Sequence, residues 1–382
     1  MIKTRSTSLA VLFADSLFRC FVVSYLCPSI LSLLLLCLIV SCAGYGVARL
    51  ISIRTRSDIA DHALFAFPLG TAVIGWIEFV CGEFIGIPVT AVLLYSTSGP
   101  LAIIGVFYAV KDFKRVKRPE LHHWTSLVWT AFGLIALLFL RQCLESLTEP
   151  YVGLDALRYH FPYSHIIYKT HALPQFTSPG MADLFFTNPP LHFLWYANMW
   201  LWLGEAHLFL PIYTTIIYGV LICILVYRMA RLVFQVSSEV ALALVLCLWL
   251  PGIFSTVLQI LRSTTDLPFA FWGVAAVYWW LRDGMEQTDR RWIWLAISGG
   301  LTVWIKPYGY VLGLAFISVM AFWWWRIRDQ EDQWTYKGGF LLKTWGIWAL
   351  VVLPIPLQHW ILWGNPVYPV AHELFGGLLI DA

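Results

Sequence analysis

Apolar residues run in long blocks broken by short polar stretches. Ten blocks approach the ~20 residues that cross a bilayer: residues 28–48, 62–81, 87–110, 124–143, 207–227, 239–259, 267–281, 292–305, 308–325 and 340–358. The pattern predicts an all-α, polytopic membrane protein with about ten transmembrane helices. The blocks between 267 and 325 are short, which predicts tilt or local thinning of the bilayer. Two stretches break the rhythm. Tyr151 to Phe176 is polar and rich in His and Tyr, and follows an apolar helix directly. Residues 189–203 are apolar but carry three Trp, His192 and Asn198, with Pro189 and Pro190 suited to a first helical turn. That segment reads as a helix lying in the membrane interface rather than crossing it.

Basic residues between the blocks set an orientation. Lys111, Lys114, Arg115, Lys117 and Arg118 form the strongest cluster; Arg228 with Arg231, Arg282 with Arg290 and Arg291, and Arg326 with Arg328 and Lys337 form three more. Placing all four in the cytoplasm puts residues 145–206, 260–266, 306–307 and 359–382 on the outer side, provided 189–203 does not cross. Trp279–Trp280 and Trp323–Trp324–Trp325 then form aromatic belts at the cytoplasmic face. Around the first block the signals conflict, because Arg49, Arg54 and Arg56 oppose Lys3, Arg5 and Arg19.

Composition agrees with the pattern. The chain is 59% hydrophobic and 12% charged, against about 25% charged in soluble domains. A net charge of +3 says little about acidic partners. The eight Cys lie in or beside apolar blocks without a CxxC pair, as small packing residues do. No small-residue cleavage site precedes the first long block, so no cleaved signal peptide is expected. The chain stops after Gly376-Gly377-Leu-Leu-Ile-Asp-Ala, without a terminal span or basic tail, which reads as a fragment.

Four polar motifs share the outer side: Asp155 with Arg158, Tyr159 and His160; Thr187-Asn188-Pro189-Pro190-Leu191; Arg262 to Asp266; and Lys306-Pro-Tyr-Gly-Tyr310. Gly364-Asn365-Pro366-Val-Tyr368-Pro369 makes a fifth. Ionisable groups of both signs at the outer ends of separate helices are the pattern of a site built between helices. Each has a plainer reading. Asp155 suits an N-cap before Ala156, and Asp266 suits one with Pro268 in the following turn. Arg158 and Lys306 suit snorkelling to headgroups, the tyrosines suit interface packing, and Glu78 and Glu83 sit near a span end as structural residues.

In motif order and spacing, residues from about 124 to 375 resemble the GT-C glycosyltransferases, integral membrane enzymes that use polyprenyl-phosphate sugars. That family includes protein O-mannosyltransferases, the lipid A aminoarabinose transferase and many uncharacterised bacterial proteins. Gly153-Leu-Asp-Ala-Leu-Arg-Tyr-His160 matches the outer loop that carries the family's essential acid, at Asp155. Asn188-Pro-Pro-Leu191 matches the motif leading to a juxtamembrane helix, and Thr265-Asp-Leu-Pro268 the second acidic position, at Asp266. In the aminoarabinose transferase a Lys before the two prolines contacts the lipid phosphate; this chain has Asn188 there, so phosphate binding must rest on other residues.

The resemblance implies a GT-C-type bundle: residues 1–118 as extra N-terminal transmembrane helices, and 119–382 as a catalytic core with outer loop 145–206 and its juxtamembrane helices. It implies an inverting transfer of a sugar from a polyprenyl-phosphate donor to a lipid, glycan or protein acceptor, on the outer (periplasmic) face of the plasma (inner) membrane. Asp155 would be the base and Asp266 a second acid. Arg158, Tyr159, His160, Asn188, Arg262 and Lys306 would bind substrate or its phosphate. His160, His165, His171 and His192 with Asp155 leave a divalent cation open, although their spacing fits no compact ligand motif and no residue is assigned to a metal. No nucleic-acid partner is expected. The alternative is a secondary transporter or lipid flippase using Asp155, Asp266 and Lys306 as ion or substrate sites; a noncatalytic accessory subunit is a third reading.

Overall fold

A computed structural model describes residues 27–51, 59–114, 125–148, 160–174, 189–207, 210–248, 265–286, 291–306, 308–327, 334–367 and 374. Among these the protein is all-helical, without a strand. Thirteen α-helices follow in order: α1 (Cys27–Ile51), α2 (Ile59–Val80, running into a π-turn at Cys81–Ile85), α3 (Ala91–Phe113), α4 (Ser126–Thr148), α5 (Phe161–Thr170), α6 (Leu191–Leu203), α7 (Leu210–Leu232), α8 (Ser238–Cys247), α9 (Asp266–Glu286), α10 (Arg291–Val303), α11 (Gly309–Ile327), α12 (Trp334–Val352) and α13 (Pro354–Trp363). A helix coincides with each of the ten apolar blocks, at least in part.

Among the described residues, four helices are long and apolar enough to cross a membrane: Pro28–Ile51, Ile59–Ile85, Ala91–Phe113 and Tyr213–Leu232. A fifth is added if Leu342–Val352 and Pro354–Trp363, bent by 50°, form one span. Pro354 and Pro356 interrupt that helix. Beside the break, the Val351 carbonyl accepts a hydrogen bond from the Trp304 indole at 2.6 Å.

Helix α1 packs closely on both α2 and α3. The α1–α3 seam depends on Gly105, since a Cβ there would lie 1.7 Å from the Cys42 carbonyl oxygen. Only a hydrogen side chain lets the two backbones approach so near. A second group joins α9 to α10 and α10 to α11 and α12, and α7 links α9 back to α2. Helices α4 and α8 pack on each other and on α7.

Helix α6 departs from the sequence reading. Residues 191 to 201 are all buried, with α5 on one side and α1, α2 and α3 on the other. An interfacial helix shows one polar, wetted face, whereas a helix apolar all round belongs in an interior. Its 13 residues make about 20 Å, short of the ~30 Å hydrocarbon core. Pro190 is its N-cap, and Gly204 ends it at φ 77°, a left-handed conformation that glycine adopts without a Cβ clash.

The charged groups gather at two levels. At one end Asp61, at the start of α2, accepts Tyr278 at 2.9 Å, pairs with Arg228 of α7 at 2.7 Å, and pairs with Arg282 of α9. Asp112, near the end of α3, pairs with Arg49 at 2.8 Å and accepts the Tyr45 hydroxyl at 2.8 Å. Arg228 and Arg282, expected as loop charges, thus turn inward onto a buried carboxylate. Asp266 lies sixteen residues before Arg282 on α9, about 24 Å along the axis, and belongs to the opposite end.

Candidate functional site

Asp266 is the first residue of α9. The Thr265 carbonyl accepts Phe269 N–H at 3.0 Å, so Thr265 stands at the helix boundary and Asp266 one position inside. Pro268 falls in the first turn, where its missing N–H leaves no helical bond unmade. The Asp266 carboxylate is turned to Lys306 and forms an ion pair with its ammonium.

Lys306 follows α10 in a tight turn. Ile305 N–H and Lys306 N–H both donate to the Thr302 carbonyl at 3.3 Å, and the Lys306 carbonyl accepts Gly309 N–H at 2.9 Å. Trp304 anchors this turn: it is fully buried, meets Phe79 of α2 edge-on at 5.0 Å and donates to Val351. The ion pair itself is partly open, with side-chain exposures of 35% for Asp266 and 20% for Lys306. Water or a ligand can therefore reach it, unlike the carboxylate of Asp61 at 2%.

Beside Lys306 stand two buried histidines. His160 precedes α5, and its carbonyl accepts the Ser164 hydroxyl at 2.7 Å. Its ring lies 5.7 Å from His192 in the first turn of α6 and 5.3 Å from Phe193. Burial pushes the His160 imidazole down to about 3, and the Lys306 charge adds to the shift. His192 moves in the same direction through burial, then His160, then Lys306. Both are neutral imidazoles near neutral pH, each with one N–H donor. Tyr163 stacks on Phe193 at 4.4 Å, and its hydroxyl is pushed up by burial and then by Glu83. Glu83, in the π-turn after α2, is hydrogen-bonded by Gln358 of α13.

Of the residues expected in a site, Asp266, Lys306 and His160 come together here. Asp155, Arg158, Tyr159, Asn188 and Arg262 lie outside the described residues. Asn365, in the fifth motif, is buried and accepts Val367 N–H at 3.0 Å in a local turn. Glu78 acquires a partner that the sequence did not show: Asn198 of α6 donates to its carboxylate at 2.6 Å. Among the described residues no three His, Cys, Asp or Glu form a group able to hold a metal ion. The His160–His192 pair alone suits a cation poorly, because the Lys306 ammonium bears on both rings. An anion is the better fit, with Lys306 as counter-charge and the imidazoles as neutral donors.

No family model, curated protein or solved structure matches the chain.

Proposed function

We propose that the protein is an inverting glycosyltransferase that takes a sugar from a polyprenyl-phosphate donor at the Asp266–Lys306 end of the bundle. The observation that carries this reading is the partly open Asp266–Lys306 ion pair. It unites two of the polar motifs, Asp266 of the GT-C resemblance among them, and the Lys306 charge bears on His160 of a third. A leaving phosphate needs positive charge where its own charge develops, and Lys306 can supply it as it exchanges Asp266 for the phosphate. The acceptor hydroxyl attacks the anomeric carbon, the carbon–oxygen bond to phosphate breaks, and the hydroxyl proton passes to a carboxylate, assigned to Asp155. The isoprenoid lies in the bilayer between helices. On this reading the four basic loops lie in the cytoplasm and this end of the bundle faces outward from the plasma membrane, where a lipid, glycan or protein is the acceptor.

The test is transfer of label from radiolabelled polyprenyl-phosphate sugars in membranes containing the full chain. Asp155→Asn should abolish transfer at unchanged expression and thermal stability. Full activity of that variant would sink the assignment of the base. The bent α12–α13 pair favours a second reading as a secondary transporter or lipid flippase, whose sites are built on broken helices. Movement of labelled lipid across the bilayer, with no glycosylated product, would select it.

A further inference from the structure

Helix α6 presents two aromatic stripes to different neighbours, one to α2 and α3 and the other to α5. On one, Leu191 reaches Gly75 (a Cβ there would meet Leu191 Cδ1 at 2.6 Å), Trp195 meets Phe67 at 5.6 Å, and Trp202 meets Tyr95 at 5.4 Å. Asn198 completes that stripe by donating to Glu78 at 2.6 Å. On the other, His192 faces His160 at 5.7 Å, Tyr196 meets Phe161 at 5.7 Å, and Trp200 meets Phe161 at 6.0 Å. Both stripes are large and apolar, and residues 191 to 201 are buried on every side. Apolar burial is non-directional, so it does not choose which stripe meets α2.

A buried polar pair can make that choice, because every other rotation strands its members. Glu78 is 0% exposed and Asn198 1% exposed. The bond runs from Asn198 Nδ2 to Glu78 Oε2 at 2.6 Å, while Glu78 Oε1 and Asn198 Oδ1 have no hydrogen-bond partner among the described residues, so this one bond is what ties the two buried groups together. Trp202, one turn on, adds a tie at the far end by donating to Ser32. Asn198 and Trp202 share a stripe, and together they leave His192 directed to α5.

We infer that Glu78 is a positioning residue: through Asn198 it fixes the rotation of α6 and thereby holds His192 against His160, beside Lys306. Only its effect on catalysis rests on the proposed transfer reaction; the rotation of α6 is read without it.

Two cysteine pairs in the full-length membrane protein report the rotation. Gly75→Cys with Leu191→Cys probes the observed face, and Gly75→Cys with His192→Cys, in a Leu191→Ala background that removes the clash with a Cβ at position 75, probes a face about 100° round the helix. With Glu78 present, oxidation should cross-link the first pair and not the second. Glu78→Leu should divide the product between them, and Glu78→Gln, whose amide oxygen still accepts from Asn198, should restore the original pattern. Asn198→Leu reads the same rotation from the other partner, and serves if Glu78→Leu does not accumulate. In the transfer assay, without the cysteines, Glu78→Leu should lower kcat by about a hundredfold, as misplacement of a site group does, while Glu78→Gln keeps most of it. An unchanged cross-linking pattern in both leucine variants would overturn the inference. A changed pattern in a protein without transferase activity would uphold it and reject the proposed reaction.

Discussion

At the scale of single residues, two neutral histidines beside a lysine make the protein sensitive to acid. The folded state holds His160 near 3 through burial and then Lys306, against 6.5 for the free side chain. The unfolded chain therefore binds protons first as pH falls. Stability from this residue is complete above pH 6.5 and is lost as pH drops from 6.5 toward 3, by up to about 1.4 kcal/mol per pH unit. His192 shifts in the same direction and steepens the slope. The clean window lies between pH 6.5 and about 5, above ordinary carboxylates. Thermal unfolding in nanodiscs should show a falling Tm across that window, and His160→Gln should flatten the fall. An identical slope in that variant would refute the account. Little of this was legible from residue types. Asp266 and Lys306 could each be placed at a span end, but their pairing joins residues forty apart through the α9–α10 packing. Glu78 read as a structural residue because its partner Asn198 is 120 positions away.

At the scale of elements, hydrophobic period located the helices, and helix packing then added what period does not encode. The α1–α3 seam is the clearest case. Gly105 faces the Cys42 carbonyl at a distance no Cβ can occupy, whereas a Cβ at Gly133, in the middle of α4, would meet nothing within 4 Å. Opposite outcomes follow from one substitution at two sites. Gly105→Ala forces α1 and α3 apart and should cost about 1–3 kcal/mol or more, as overpacking does. Gly133→Ala relieves only the backbone entropy of a mid-helix glycine and should stabilise by up to about 1 kcal/mol. Tm shifts of opposite sign are the measurement, and equal shifts would contradict the seam. Helix α6 was misread for a related reason: Trp-rich apolar sequence serves a membrane interface and a buried aromatic wedge equally well. Only its neighbours α2 and α5 decide.

At the scale of the whole molecule, the two charged ends differ in kind. Of the basic residues that oriented the chain, Arg228 and Arg282 are engaged by Asp61 at one end, where Asp112 also holds Arg49. A count of loop charges cannot see this, because Asp61 sits at the mouth of an apolar block and reads as an ordinary first-turn acid. Asp61 is almost wholly buried between two guanidiniums, so Asp61→Ala leaves two positive charges confined without a counter-charge and should cost about 3–5 kcal/mol. The Asp266–Lys306 pair at the other end is partly solvated. Its members can each turn to water, and Asp266→Ala should cost no more than about 1 kcal/mol. Thermal unfolding of the two variants therefore separates a lock from a site. If the transfer proposal holds, Asp61→Ala loses folded protein, with the remainder active, while Asp266→Ala stays folded and loses turnover. A loss of stability at Asp266 as large as that at Asp61 would make the Asp266–Lys306 pair a second lock and remove it from the chemistry.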